Sequence, residues 1–286
     1  IIRTGVQTAK GVVGYDLTRL FVGSEGTLGV ISKIIIRLLP LPEKKETYLL
    51  SFNSLHKAAA MVSELLASGL TPCTLEYMDK TTIDLVRDQI ALELADGTRA
   101  LLILEMDGSA AEVEQQQHNL HRFLAQKGIS HVHAENEEQY AAIWQARRSI
   151  SPASFSLKPD KISEDIVVPR SRIPDLVAFT EKLGRERDLA ILTFGHAGDG
   201  NIHVNIMIDR RNSDETERGE KARKELFAFV IQLGGTLSGE HGIGITKAPF
   251  LTMELDATAV SVMQKIKHLF DPNNILNPGK IFPGTL

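Results

Sequence analysis

The chain has 286 residues, 43% of them hydrophobic and 24% charged, with a formal net charge of -4. That length can bury a sizeable core in one or two domains, and a mildly acidic balance without a long basic run argues against nucleic acid as a partner. The single cysteine, Cys73, excludes an intramolecular disulfide framework, a CxxC zinc site and a bound iron–sulfur cluster, and it agrees with a reducing, cytoplasmic setting.

In chain order, residues 1–42 read as loop, glycine turn and strand, through VGYDL, LFVGSEGTLG and VISKIIIRLLPLP. The last of these is the longest apolar run, and Lys33 and Arg37 interrupt it. No run reaches the ~18–20 apolar residues of a membrane span, so any membrane association is expected through a partner. No signal peptide is expected from the opening residues, and IIRTGV opens at Ile1 like the middle of a strand, so a fragment of a longer protein is expected. KKET reads as a polar joint.

An alternation follows. TYLLSF, CTLEYMD, ALLILEMDG and SHVHAE read as strands. LHKAAAMVSELLAS, KTTIDLVRDQIALEL and AAEVEQQQHNLHRFLAQKG read as helices. Beyond them come a helix in EEQYAAIWQARRSI, a strand in KISEDIVVP and a helix in RIPDLVAFTEKLGRER with Pro174 in its first turn. LAILTFGH and NIHVNIMI form a hairpin, and a long helix starts at a capping-box-like Ser213 and ends at Gly234-Gly235. TLSGEHGIG is a glycine-rich strand and loop, and a last helix over about 256–270 leads to DPNNILNPGKIFP. Strand–helix alternation of this kind builds a sheet covered by helices on one side.

Two segments carry chemistry. In GHAGDGNIHVN, residues 195–205, Asp199-Gly200 is a two-residue hairpin signal. Such a turn sets His196 opposite His203, with Cβ atoms ~4.5–5.5 Å apart on one face, and Asn205 shares that face. Asp199 belongs to the turn, where it bonds its own backbone. In SGEHGIG, residues 238–244, glycines flank Glu240 and His241, permit irregular dihedrals and let a flat cofactor or substrate approach the backbone. His196, His203 and Glu240 make a two-histidine, one-carboxylate set suited to a divalent metal with open positions; zinc is favoured, with manganese, iron or cobalt as alternatives. His241 beside that set is suited to general-base work near neutral pH. Oxidation of an alcohol there needs an electron acceptor, and the chain has no GxGxxG fingerprint. The competing readings are a metal-dependent hydrolase or lyase and a non-catalytic fragment or subunit.

VGYDLTRLFVGSEGTLGVIS, GHAGDGNIHVN, SGEHGIG and DPNNILNPGKIF, in this order, closely resemble the FAD-linked 2-hydroxy-acid dehydrogenases of the vanillyl-alcohol oxidase type, which include glycolate oxidase large subunits and D-lactate and D-2-hydroxyglutarate dehydrogenases. The resemblance implies an α+β chain: an antiparallel sheet covered by helices, the C-terminal cap domain, with a remnant of the FAD-binding domain. It implies an end of the FAD-binding domain at 1–42, a substrate domain at 43–256 and a returning segment at 257–286. The implied reaction is oxidation of a D-2-hydroxy acid to the 2-oxo acid with FAD. His196, His203 and Glu240 match the family's metal ligands, His241 its proposed base and Asn205 a substrate contact. Arg147 and Ser151 match residues near the substrate carboxylate, which an arginine fork suits, and Lys161 is nearest to a lysine of some relatives. Tyr15, Gly23, Ser24, Glu25, Gly26, Thr27, Gly29 and Asn277 match positions lining FAD. The implied partners are the 2-hydroxy acid and an electron acceptor or redox subunit, and the expected assembly is a homodimer.

Overall fold

A computed structural model describes residues 1–90 and 92–283. Ala91, inside the helix expected over 80–94, and residues 284–286 of the expected returning segment lie outside the described residues. The chain divides into two units, one of residues 39–239 and one of residues 1–38 with 240–286.

The larger unit holds β1 (Lys44–Phe52), α2 (Leu55–Ala67), β2 (Thr74–Asp79), α3 (Lys80–Val86), β3 (Ala100–Gly108), α4 (Ala110–Lys127), β4 (Ser130–His133), α5 (Glu137–Ala153), β5 (Asp160–Val167), α6 (Ile173–Arg187), β6 (Ala190–His196), β7 (Asn201–Ile208) and α7 (Ser213–Gln232). The strands form one seven-stranded sheet in the order β4-β1-β3-β2-β6-β7-β5. Every pairing is antiparallel.

Strand alternation assigns the two faces. Tyr48, Leu50, Leu102, Leu104, Val204 and Ile206 point to a face covered by α2, α4, α6 and α7. On that side Gln117 of α4 donates to the Tyr48 hydroxyl at 2.9 Å, and Gly219 of α7 lies close over Ile162 and Ile208. The opposite face is not bare, as one-sided alternation predicts. Leu49, Met78, Leu101, Ile103, Leu192, Phe194 and Met207 cluster there with Ile83 and Val86 of α3 and Ile143, Ala146 and Ile150 of α5. These strands are apolar on both faces, and a second layer of helix is what keeps the second face dry. α5 covers only part of this face, and the polar residues of the site share it.

Helix ends follow local chemistry. Ser109 and Glu112 form a full capping box at α4, which ends at a left-handed Gly128. Asn212, not Ser213, caps α7, its side chain accepting from Glu215 N at 3.2 Å; Ser213 is the first helical residue. KKET is not a joint. It extends β1, because Lys44–Thr47 pair with the polar end of β3 and Lys45 reaches Glu105 at 3.4 Å. α3 stops at Val86, and Ile90 and Leu94 reach the core from beyond it. TLSGEHGIG contributes only an isolated bridge, Val167 with Thr236.

The smaller unit holds α1 (Leu17–Phe21), α8 (Leu251–Glu254) and α9 (Ala257–Phe270). Residues 30–42 form no strand. Among the described residues no strand pairs with them, and Val30, Ile34, Ile36 and Leu38 are exposed. Lys267 and Asp271 make a buried ion pair that closes the end of α9. The Lys267 ammonium also donates to Thr27 O and Leu276 O, at 2.9 and 2.8 Å. Burial opposes ionisation of Asp271, but Lys267 and the backbone N–H groups of Leu276 and Ile275 hold its pKa down to about 2. No helix among the described residues is long and apolar enough to cross a membrane.

The turn after β6 rests on Gly200. Its φ is +89°, and a Cβ there would stand 2.1 Å from Val168 O. Gly200→Ala is expected to lower unfolding free energy by about 2–4 kcal/mol, from the left-handed backbone and the clash together. Urea denaturation measures it, and an unchanged midpoint would mean the turn is slack.

Candidate active site

The β6–β7 hairpin differs from the two-residue turn. Residues 197–200 form the connection, with Asp199 N donating to His196 O and Gly198 N to Leu75 O. Four connecting residues shift the register, so Phe194, not His196, is opposite His203. His196 instead pairs with Glu76 of β2. A shift of two residues preserves the face, so the imidazoles still meet: their centroids are 5.4 Å apart at 80°, and a ring nitrogen of each comes within 4.8 Å of the other. Asp199 keeps its structural role, accepting from Asn201 N at 3.1 Å.

Both imidazoles turn Nδ1 toward a carboxylate. His196 Nδ1 makes a short contact with Glu76 Oε1, and His203 Nδ1 lies 3.5 Å from Asp165 Oδ1. A neutral imidazole with Nδ1–H on a carboxylate presents Nε2 as its basic nitrogen, the arrangement that orients metal-binding histidines. Neither Glu76 nor Asp165 was marked by the sequence. Glu76 is 3% exposed, between the buried Leu75 and Tyr77. Burial raises its pKa, but the bond to His196 and the charge of Arg147 outweigh that and hold it below the usual carboxylate range.

Arg147 of α5 donates through Nε to Glu76 Oε2 at 2.6 Å and stacks over Phe194 at 4.8 Å. One helical turn on, Ser151 Oγ accepts from Lys161 Nζ of β5 at 2.8 Å, and Lys161 also lies over Phe155 at 4.8 Å. Burial lowers the Lys161 pKa. Asn205 is 1% exposed, and its Oδ1 has no hydrogen-bond partner among the described residues. A buried polar atom without a partner is costly unless a ligand satisfies it. Glu76, Lys161, Asp165, His196, His203 and Asn205 therefore share one face of the sheet, with Arg147 and Ser151 brought to it by α5. A polar cavity of about 630 Å³ by α6 and α7 holds none of them; Lys158 pairs with Glu215 there at 2.9 Å and Arg218 with Asp188 at 3.3 Å.

The remaining candidates belong to the smaller unit. Tyr15 is 95% exposed. Ser24 and Thr27 are buried in a turn, the Thr27 hydroxyl donating to Ser24 O at 2.7 Å. Gly23, Gly26 and Gly29 shape the same loop, and Asn277 Nδ2 donates to Glu25 O at 2.7 Å. Glu240 and His241 are exposed neighbours, with carboxylate and ring nitrogen 4.0 Å apart.

A helix-backed antiparallel sheet of this kind is the fold of the C-terminal domain of a flavin-linked oxidase. Residues 41–281 match the family of FAD linked oxidases, C-terminal domain, and the chain belongs to that family. The glycolate oxidase subunit GlcD of Bacillus subtilis (strain 168) is 45% identical over 99% of this chain and 60% of its own length. GlcD of Escherichia coli (strain K12) is 33% identical, over 94% of this chain and 54% of its own length. A probable mitochondrial D-lactate dehydrogenase of Danio rerio is 34% identical over 98% and 57%. The chain thus spans somewhat over half the length of these relatives. Among solved structures, p-cresol methylhydroxylase with substrate bound shares the fold at a TM-score of 0.76 and 15% identity, over 97% of this chain and 60% of that one.

Glu76→Gln keeps the shape but removes the charge between Arg147 and His196. It is expected to cost about 1–3 kcal/mol of stability at pH 7, the scale of hydrogen bonds to a charged group. Because the Glu76 pKa is lowered in the folded state, its contribution is present above the unfolded pKa and is lost as pH falls through the folded one. Wild type and variant should therefore converge in acid. Denaturation curves at pH 7 and near pH 3 check this, and a gap that persists or widens in acid would contradict it.

Proposed function

We propose that the chain is the substrate-binding and proton-transferring part of an enzyme that oxidises a D-2-hydroxy acid, such as glycolate, D-lactate or D-2-hydroxyglutarate, to the 2-oxo acid with FAD. The observation that carries the reading is the polar sheet face: two imidazoles turned by carboxylates, a buried amide oxygen without a partner, and two cations. Family membership and the names of the relatives, glycolate oxidase subunit and D-lactate dehydrogenase, support it.

The imidazole pair fits a divalent ion, because the carboxylates at Nδ1 set Nε2 as the ligating atom. His196 and His203 would hold it, with Glu240 as the third ligand. Such an ion, zinc by preference, supplies Lewis-acid polarisation of an oxygen donor. The exposed Tyr15 ring and the loop at Gly23, where a Cβ would meet nothing within 4 Å, fit the approach of a flat cofactor. Bound FAD supplies the two-electron acceptor.

The chain's own residues then divide the work. Arg147 and Lys161 bind the substrate carboxylate, and Ser151 orients the Lys161 ammonium. Arg147 is held by Glu76 through Nε, which leaves the terminal amino groups of the fork to address an anion. Asn205 accepts a hydrogen bond from the substrate through Oδ1. His241 takes the proton of the substrate hydroxyl on a ring nitrogen as the carbon–hydrogen bond beside it breaks. The larger unit is read as the substrate domain and the smaller one as part of the flavin-binding domain. The name "subunit" among the relatives supports a redox partner protein as electron acceptor.

The test is anaerobic flavin bleaching by a panel of D- and L-2-hydroxy acids in the FAD-loaded full-length protein, alongside metal analysis. His241→Asn is expected to slow bleaching by ~10²–10⁴-fold, the scale of general-base loss, with metal content unchanged. His196→Ala should lose metal and activity together. Bleaching at the wild-type rate in His241→Asn, or no bleaching by any hydroxy acid in the wild type, overturns the reading.

A further inference from the structure

The glycines of SGEHGIG do more than permit irregular backbone. Ile243 N and Gly244 N both donate to the Glu25 carboxylate, at 2.7 and 2.8 Å, one to each oxygen. Gly242, with φ +79°, and Gly244, with φ +55°, turn these successive amides inward. Successive N–H groups in such a turn form an anion-binding nest, and the anion here is the protein's own side chain. The approach is close: a Cβ on Gly242 would stand 2.6 Å from Glu25 Oε1.

Glu25 is itself held in an unfavourable shape. Its φ is +53°, a region that non-glycine residues rarely adopt. Its carbonyl accepts from Asn277 Nδ2 at 2.7 Å. The ring closes through Ile281 N, which donates to Gly244 O at 2.9 Å from a backbone with φ +67°. Strained dihedrals persist only where their surroundings over-determine them, and they gather at functional sites. Three segments distant in sequence thus lock one another: Glu25 holds a loop 218 residues away, and the segment 277–281 holds both.

We infer that Glu25 is a positioning residue, which fixes the backbone of the loop at 240–244 and so the direction in which Glu240 and His241 are presented. The inference rests on the reading of His241 as the base. Glu25 touches no reacting atom in this role. It acts because His241 is one residue before the nest, and charge-assisted hydrogen bonds to two consecutive amides fix the loop more firmly than neutral ones do. A general base must stay within hydrogen-bond reach of its proton, and a displacement of about 1 Å is enough to cost ~10²-fold in rate.

The test uses the FAD-loaded full-length protein with Glu25→Gln, and with Gly242→Ala, which attacks the same contact from the other side. Amide hydrogen exchange at Ile243 and Gly244 is expected to accelerate in both variants, with the amides of β3 unchanged and FAD retained. In Glu25→Gln, kcat should fall by ~10–10²-fold while KM for the hydroxy acid changes little. In a His241→Asn background the same substitution should cost less than ~3-fold further, because it acts through that imidazole. Unchanged exchange together with loss of FAD would make Glu25 a cofactor contact and overturn the inference. So would full additivity of the two substitutions. If His241→Asn alone keeps the wild-type rate, the base assignment fails, and the exchange measurement still decides whether Glu25 holds the loop.

Discussion

The pairing register of β2, β6, β7 and β5 is the constraint on which the site depends. Glu76 opposes His196, Phe194 opposes His203, and His203 opposes Asp165. Period-two alternation then sends Asn205 and Lys161 to the same side. The intervening positions, Tyr77, Ile202, Val204 and Ile166, are fully buried on the other side. A slip of one residue in any of these strands would carry a histidine or a carboxylate into that apolar layer. The core packing and the polar face are therefore set by the same register, and the helices on the apolar side stabilise the site without touching it.

The smaller unit works by a different principle. It has little regular structure, and its order comes from side chains bonded to distant backbone: Lys267 to Thr27 O and Leu276 O, Glu25 to Ile243 N and Gly244 N, Asn277 to Glu25 O. These bonds satisfy loop amides and carbonyls that no helix or strand covers. They also explain why glycines, asparagines and one glutamate concentrate in three short motifs. Each motif is the complement of another.

Much of this was legible in the sequence, and what was hidden had a physical reason. Asp199-Gly200 between apolar runs gave away the hairpin and the meeting of His196 with His203. The exact partner was not readable, because a four-residue connection and a two-residue turn leave the same residues on the same face. Glu76 carried one faint signal, a carboxylate between the apolar Leu75 and Tyr77. Its use could not be inferred, since His196 is 120 residues away. Residues 30–42 have strand composition but no strand, because a strand is defined by the neighbour it pairs with and composition says nothing of that neighbour. Glu25 and Asn277, which the resemblance sets among residues lining FAD, also bond the protein's own backbone, a role that no spacing in the sequence reveals.

Charge balance on the polar face explains why so many ionisable groups can share it. Glu76 and Asp165 are buried carboxylates, and isolated they would be costly there. Arg147 answers Glu76 directly at 2.6 Å, and Lys161 adds a second positive charge on the same face. Each imidazole turns Nδ1 toward one of these carboxylates, His196 toward Glu76 and His203 toward Asp165. A face with two negative and two positive charges is close to neutral before anything binds. The carboxylates also fix which nitrogen each imidazole presents, and the cations are held by Glu76 and Ser151 before a ligand arrives. Most of the cost of ordering these groups is therefore met on folding rather than on binding.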